Sequence, residues 1–408
     1  MGYKVPIARV QAVGRRMYKS HYFWNGSDFG EEHVSESGPI ETRREKYSRV
    51  ATHTHRMIST EAASCFLKRG LNPATANNLF RRIMKKASTC EFQTKKLSEP
   101  RPAPLNALEF PRFAGVPTFM RLPHITDASR LDVALVGVPF DCGTSYRPGP
   151  RFGPRNIRVQ SAMIRPYNPV LEVSPFDCLR IGDYGDLSVN PLSIEETYRR
   201  IQQGLKPILD AETIPLCVGG DHSILLPILR AIHAKHGPVA LVQLDAHSDT
   251  WDQYWGSKYS HGTPVRRAIE EGLLAEPHIL QVGLRGQLYG PYDMDYARER
   301  KIRVITSEEL HEHGLRLVRS KLKAFQSRKT YLSLDIDVVD PAFAPGTGTP
   351  QVGGLSSAQI LDLVRELKGL NLVGCDLVEV SPPYDSAEIT SLLAANLLFE
   401  QLCLLALR

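Results

Sequence analysis

The chain has 408 residues, 42% hydrophobic and 23% charged, with a formal net charge of +6. This suits one large α/β domain, or one domain with an extension, and excludes a disordered or fibrous chain. Residues 1–100 carry 18 Lys and Arg against 9 Asp and Glu, so the rest is slightly acidic; with no finger spacing and no aromatic-interleaved basic motif, no nucleic-acid partner is expected. The seven cysteines are scattered without a C-x-x-C pair, which argues for a reducing compartment and against a disulfide framework or zinc ribbon.

No acidic residue precedes Asp28, whereas Lys4, Arg9, Arg15, Arg16 and Lys19 are basic. This resembles a mitochondrial presequence, so a mitochondrial location is expected, with the cytoplasm as the alternative. A helix is expected over Ala74 to Lys86, followed by the Pro-rich SEPRPAPLNALEFPRF. The reading divides the chain into a basic N-terminal extension, 1–105, and a catalytic domain, 106–408. From Leu131 onward, short apolar runs alternate with helix-like segments. DVALVGVPF, TIPLCVGG, GPVALVQLD, HILQVGL, KTYLSLDID and LNLVGCDLVEV read as strands buried on both faces. SIEETYRRIQQGLKPILDA, SILLPILRAIHAKHG and SSAQILDLVRELKGL read as helices, the last ending at Gly369. The alternation predicts an α/β fold with a mainly parallel sheet. LLAANLLFEQLCLLAL at the C-terminus is read as too short to span a bilayer and as a core helix, so no membrane is expected.

In parallel α/β sheets, ligands bind beyond the carboxyl ends of the strands. Three expected strands end alike: one runs into Asp221-His222, one into Asp245, His247 and Asp249, and one into Asp335, Asp337 and Asp340. Ionised carboxylates so near a core need a compensating partner, and a metal ion supplies one. Oxygen and imidazole donors suit a divalent ion of the manganese type, with Zn, Ni or Fe as alternatives. One ion would be over-supplied, whereas two ions with bridging carboxylates would use the whole set.

GGDHS at 219–223, DAHSD at 245–249 and SLDIDVVDP at 333–341 resemble the signatures of the ureohydrolases, the family of arginase and agmatinase. The resemblance covers roughly residues 110–408. DCGTSYRPGPRFGPRNIR, SHGTPVRRA, FAPGTGTP and LVEVSPPYD are most similar to the agmatinase branch. It implies a three-layer α-β-α sandwich assembling as a homotrimer or homohexamer, with two Mn²⁺ per subunit, Ni²⁺ or another divalent ion being possible. One ion would be held by His222, Asp245, Asp249 and Asp335; the other by Asp245, His247, Asp335 and Asp337. The implied activity is hydrolysis of a small guanidino substrate to urea and an amine. By the same resemblance, Glu379 grips the flat guanidinium and His261 relays a proton to the leaving amine. Asp337 would also accept the proton of the attacking water.

DAHSD continues as TWDQYWGSKY, without the segment that grips arginine's amino-acid head in arginases. Trp251, Trp255 and Tyr254 are candidates for the pocket mouth, where an aromatic face attracts a cation, and Asp252 for pairing an ammonium. The similarity to the agmatinase branch implies agmatine, giving putrescine and urea, as the substrate, with 4-guanidinobutyrate or guanidine as alternatives. A one-metal deacetylase of similar fold and a catalytically silent homologue are the rival readings. Asp340 is expected to shape the turn before Pro341. His53, His55, His311 and His313 are read as solvated.

Overall fold

The computed structural model describes residues 101–408. The basic extension, the helix expected at Ala74 to Lys86 and the pair His53/His55 lie outside the described residues.

Eight strands form one sheet: β1 (Val133–Val138), β2 (Ile181–Asp186), β3 (Ile214–Gly219), β4 (Val239–Leu244), β5 (Leu274–Leu284), β6 (Arg303–Thr306), β7 (Lys329–Leu334) and β8 (Asn371–Leu377). Their order is β2-β1-β3-β8-β7-β4-β5-β6, and every pairing is parallel. Residues alternate between the two faces of a strand, and the two cores divide accordingly. Val133, Leu135, Leu216, Val218, Val242, Leu244, Leu332 and Leu334 enter one core. Ala134, Val136, Cys217, Leu241 and Tyr331 enter the other. This is the three-layer sandwich that the family resemblance implies, built on the parallel sheet that the alternation of runs predicts.

The first core is covered by α1 (Gly153–Gln160), α5 (Ser307–His313), α6 (Leu315–Leu322), α7 (Ser357–Glu366) and α8 (Ile389–Ala406); the second by α2 (Ile194–Asp210), α3 (Leu225–His236) and α4 (Pro264–Glu270). Ser193 caps α2 by accepting from Glu196 N at 3.1 Å, and Ser356 with Gln359 forms a capping box on α7. α7 stops at Glu366, before the expected Gly369.

Two findings correct the sequence reading. The helical run Ser386–Ala406 is 21 residues, long and apolar enough by length and composition to cross a membrane. Its burial, not its length, makes it a core helix: 78% of its apolar window lies inside the protein. In addition, β2 and β6 were not expected. Both are edge strands, and IGDYGD and RVIT carry partly exposed or polar positions instead of a continuous apolar run.

Candidate active site

β3, β8, β7 and β4 are consecutive in the sheet, and each ends in an acidic residue or in Asp-His. Backbone pairing continues just past them: Glu379 N donates to Gly220 O, Val378 N to Leu334 O and Asp335 N to Leu244 O, each at 2.9 Å. The four chain ends therefore stop at one level. A Cβ on Gly220 would fall 2.1 Å from Phe140 O, so only glycine lets the chain turn there toward His222. Asp249 (φ 53°) and Glu379 (φ 64°) hold left-handed backbone, an uncommon conformation for such residues that concentrates at functional sites.

His222 Nδ1 lies 3.1, 2.8 and 3.3 Å from oxygens of Asp245, Asp249 and Asp335. His247 Nδ1 lies 2.9 Å from Asp337 Oδ2 and 3.6 Å from Asp245 Oδ1. Donor atoms of His222, Asp245 and Asp335 lie within 4.8 Å of one another, and so do those of Asp245, His247 and Asp337. His222 Nδ1 and Asp337 Oδ2 are buried without a hydrogen-bond partner. Two adjoining trios that share Asp245, with unpartnered ligand atoms turned inward, fit a pair of divalent cations.

The electrostatics agree. Burial pulls the His222 pKa down, but Asp249 and the other carboxylates outweigh it and raise it well above the ordinary value. Burial and then Asp245 push Asp249 up to about 6, while burial, Asp337 and Asp245 push Asp335 far up. The cluster calls for positive charge, and protons fill that role when no cation does.

The sequence model of the arginase family matches residues 131–403. The chain belongs to the arginase family. It is 50% identical to guanidinopropionase of Pseudomonas aeruginosa over 312 residues, 76% of this chain and 98% of that protein. It is 48% identical to the mitochondrial agmatinase of Gallus gallus over 72% of this chain and 87% of that protein. The solved structure of proclavaminate amidino hydrolase from Streptomyces clavuligerus superposes with a TM-score of 0.69 at 44% identity, covering 73% of this chain and 99% of that one. The arginase-family chain is thus a hydrolase of guanidino C–N bonds with candidate ligands for a binuclear divalent metal centre.

Beside the ligands, Glu379 Oε1 accepts from His222 N at 2.9 Å and faces His261 Nδ1 at 3.0 Å, so no arginine of the 147–158 loop pairs with it. Its Oε2 is buried and has no partner. On the far side of the ring, His261 Nε2 accepts from Ser145 N at 3.0 Å and lies 2.6 Å from Ser145 Oγ. The backbone donor requires a lone pair on Nε2, which places the neutral ring's proton on Nδ1, toward Glu379. Burial lowers the His261 pKa, but Glu379 outweighs it and the net shift is upward.

The pocket over these groups is lined by Ser145, His222, His247, Asp249, Trp251, Tyr254, His261, Gly262, Asp335 and Thr349. Trp251 and Tyr254 therefore line the pocket, whereas Trp255 is 84% exposed and packs at a tilt on Tyr254 outside the lining. Asp252 is not in the pocket: its Oδ1 accepts from Arg267 at 2.7 Å and lies 3.5 Å from Arg266. That corrects its assignment as an ammonium partner. Asp340 accepts from Ala342, Gly353 and Gly354 backbone N–H groups and shapes its turn, as expected. Asp221 turns away from the ligands, bonding Ser223 N and Gly143 N, which pins the Ser145 loop. His311 and His313 are exposed.

The sequence reading missed several contributors. Gln281 bonds Gln243 at 2.7 Å, and Gln243 bonds Asp245 at 2.7 Å, so two strand glutamines aim a carboxylate. A lone Gln in each of LVQLD and HILQVGL was the available signal. Gly348 in FAPGTGTP adjoins Glu379: a Cβ there would sit 3.3 Å from the free Oε2.

Proposed function

We propose that this arginase-family hydrolase cleaves a guanidino acid with water, releasing urea and the corresponding amino acid. One observation carries the choice of tail. Asp252 is committed to arginine, and among the described residues the acids lining the pocket are Asp249 and Asp335, both in the candidate ligand cluster. Among the described residues no uncommitted carboxylate lines the pocket for agmatine's ammonium, while Ser145, Tyr254 and Thr349 offer hydroxyls to a carboxylate tail. The Pseudomonas aeruginosa relative bears the name of an acid's hydrolase, which supports the same tail. Agmatine is the second reading, favoured by the Trp251 and Tyr254 faces at the mouth.

Two divalent cations, manganese by donor chemistry, held by His222, Asp245, Asp249 and Asp335 and by Asp245, His247, Asp335 and Asp337, would lower the pKa of a water from about 15.7 toward roughly 7. The remaining work falls to protein groups. The unpartnered Glu379 Oε2 accepts a guanidinium N–H and fixes the plane of the substrate. Asp337, whose Oδ1 is held by Ala246 N at 3.1 Å, offers Oδ2 to the proton leaving the water. His261, anchored between Glu379 and Ser145, would first take up the proton that Asp337 accepts, becoming an imidazolium beside Glu379, and then give that proton to the departing amine as its C–N bond breaks.

The test is urea release by manganese-loaded protein from 4-guanidinobutyrate, 3-guanidinopropionate, agmatine, arginine and guanidine. The acid reading expects a guanidino acid to lead agmatine in kcat/KM by about tenfold or more, the worth of one charged hydrogen bond. Agmatine leading would overturn it, and urea from none would overturn both readings. The basic N-terminus, together with a relative named mitochondrial, supports a mitochondrial location, which imaging of the tagged full chain tests. A homotrimer or homohexamer is proposed from the family resemblance, and light scattering distinguishes the two.

A further inference from the structure

We infer that Ser333 and Asp376 are positioning residues that fix the tautomer of His222, so that its Nδ1 lone pair is presented to a cation. The inference deepens the metal reading of the site. His222 Nε2 lies 2.8 Å from Ser333 Oγ, and Ser333 Oγ donates to Asp376 Oδ1 at 2.8 Å. The other donors at Asp376 are Tyr331 OH at 2.9 Å on Oδ2 and Leu334 N at 3.2 Å on Oδ1. All five residues are 0–1% exposed, and none has water to turn to.

The direction of each bond follows from counting protons. A carboxylate only accepts, so three donors around Asp376 consume the single hydrogen of Ser333. Ser333 Oγ then has only lone pairs for His222, and the ring must donate Nε2–H to it. The lone pair is left on Nδ1, the atom that faces Asp245, Asp249 and Asp335 and has no hydrogen-bond partner. Gln401 Nε2 bonds Asp376 O at 3.0 Å and ties the strand to α8. The relay crosses β8 and β7, the central pair of the sheet, where backbone position is well constrained.

Asp376→Asn replaces an acceptor with a group that also donates. Ser333 is then free to turn its hydrogen toward His222, which favours the tautomer protonated at Nδ1. Metal affinity should fall about 10- to 100-fold at the His222 position, the usual effect of losing a ligand's outer partner. Tyr331→Phe removes one donor from Asp376 but leaves the Ser333 bond, and Ser333→Thr keeps the hydroxyl that Ser333→Ala removes.

The experiment is stepwise Mn²⁺ binding to the full chain under competition with a chelator, with a thermal melt of each metal-free variant. A second readout is the ¹⁵N signature of the His222 ring in protein loaded with diamagnetic Zn²⁺. The inference expects one of two binding steps to weaken in Asp376→Asn and Ser333→Ala, with Ser333→Thr and Tyr331→Phe near wild type. The double variant should be no weaker than the weaker single one, because both act through one bond. Unchanged binding in Asp376→Asn and Ser333→Ala would overturn the inference. So would equal weakening in Tyr331→Phe, since that would mark a packing effect. If Asp376→Asn fails to fold, Ser333→Ala against Ser333→Thr decides alone.

Discussion

Two groups of buried carboxylates sit in this one sheet and are treated in opposite ways. Asp183 on β2 receives Arg158 through both oxygens, at 2.8 and 3.1 Å, with Phe119 N and Gly185 N completing its bonds. Arg158 also holds Asp186 at 2.7 Å and stacks over the Phe119 ring. At the ends of β4 and β7, Asp245, Asp249, Asp335 and Asp337 lie together, and among the described residues no Lys or Arg forms an ion pair with them. Among the described residues, histidine nitrogens are their side-chain partners of opposite potential charge. A buried charge that serves the fold has its counter-ion built into the chain; one that serves chemistry leaves the place to something that binds.

The difference can be attacked from either side. The largest effect is expected from removing the exchangeable charge: a chelator, or Asp245→Ala, should bring urea release to background while circular dichroism stays unchanged. Next, Glu379→Gln should lower kcat/KM by about 100- to 1,000-fold with two metals still bound, because it weakens the substrate's grip and the support of His261 while its amide oxygen can still accept from His222 N. Removing the built-in counter-ion should act on stability instead. Arg158→Met is expected to destabilise by about 3–5 kcal/mol in urea unfolding, since Asp183 would stay buried without its counter-ion, and metal content per folded chain should not change. The smallest effect has the opposite sign. Asp335 is pushed up by burial, Asp337 and Asp245, so its ionised form costs folding energy. Asp335→Asn should raise the stability of the metal-free protein by about 1 kcal/mol, a few degrees in Tm, while abolishing activity.

The same contrast explains what could be read from the sequence. The candidate ligands follow apolar runs in a local pattern, so Asp245, His247, Asp249, Asp335 and Asp337, at alternate positions, and His222, in the Asp-His after β3, could be singled out before any fold was known. The central strands were legible for the same reason: burial on both faces writes a continuous apolar run. What depends on non-local partners was hidden. Asp252 looks free in the sequence but meets Arg267 fifteen residues on, across a loop and a helix turn. Ser145 meets His261 over 116 positions, and Asp376 meets Ser333 over 43. β2 and β6 were hidden because an edge strand needs no continuous apolar run, and Trp255 because a sequence cannot say which aromatic of a cluster faces the pocket.

The central claim is that these unpaired carboxylates exist to hold two cations for guanidine hydrolysis. Elemental analysis of dialysed protein, run beside urea release from 4-guanidinobutyrate, 3-guanidinopropionate and agmatine, tests it most directly. The account predicts two divalent ions per chain in the active protein, with ions and urea lost together in Asp245→Ala. Full urea release by protein holding one ion or none would contradict it.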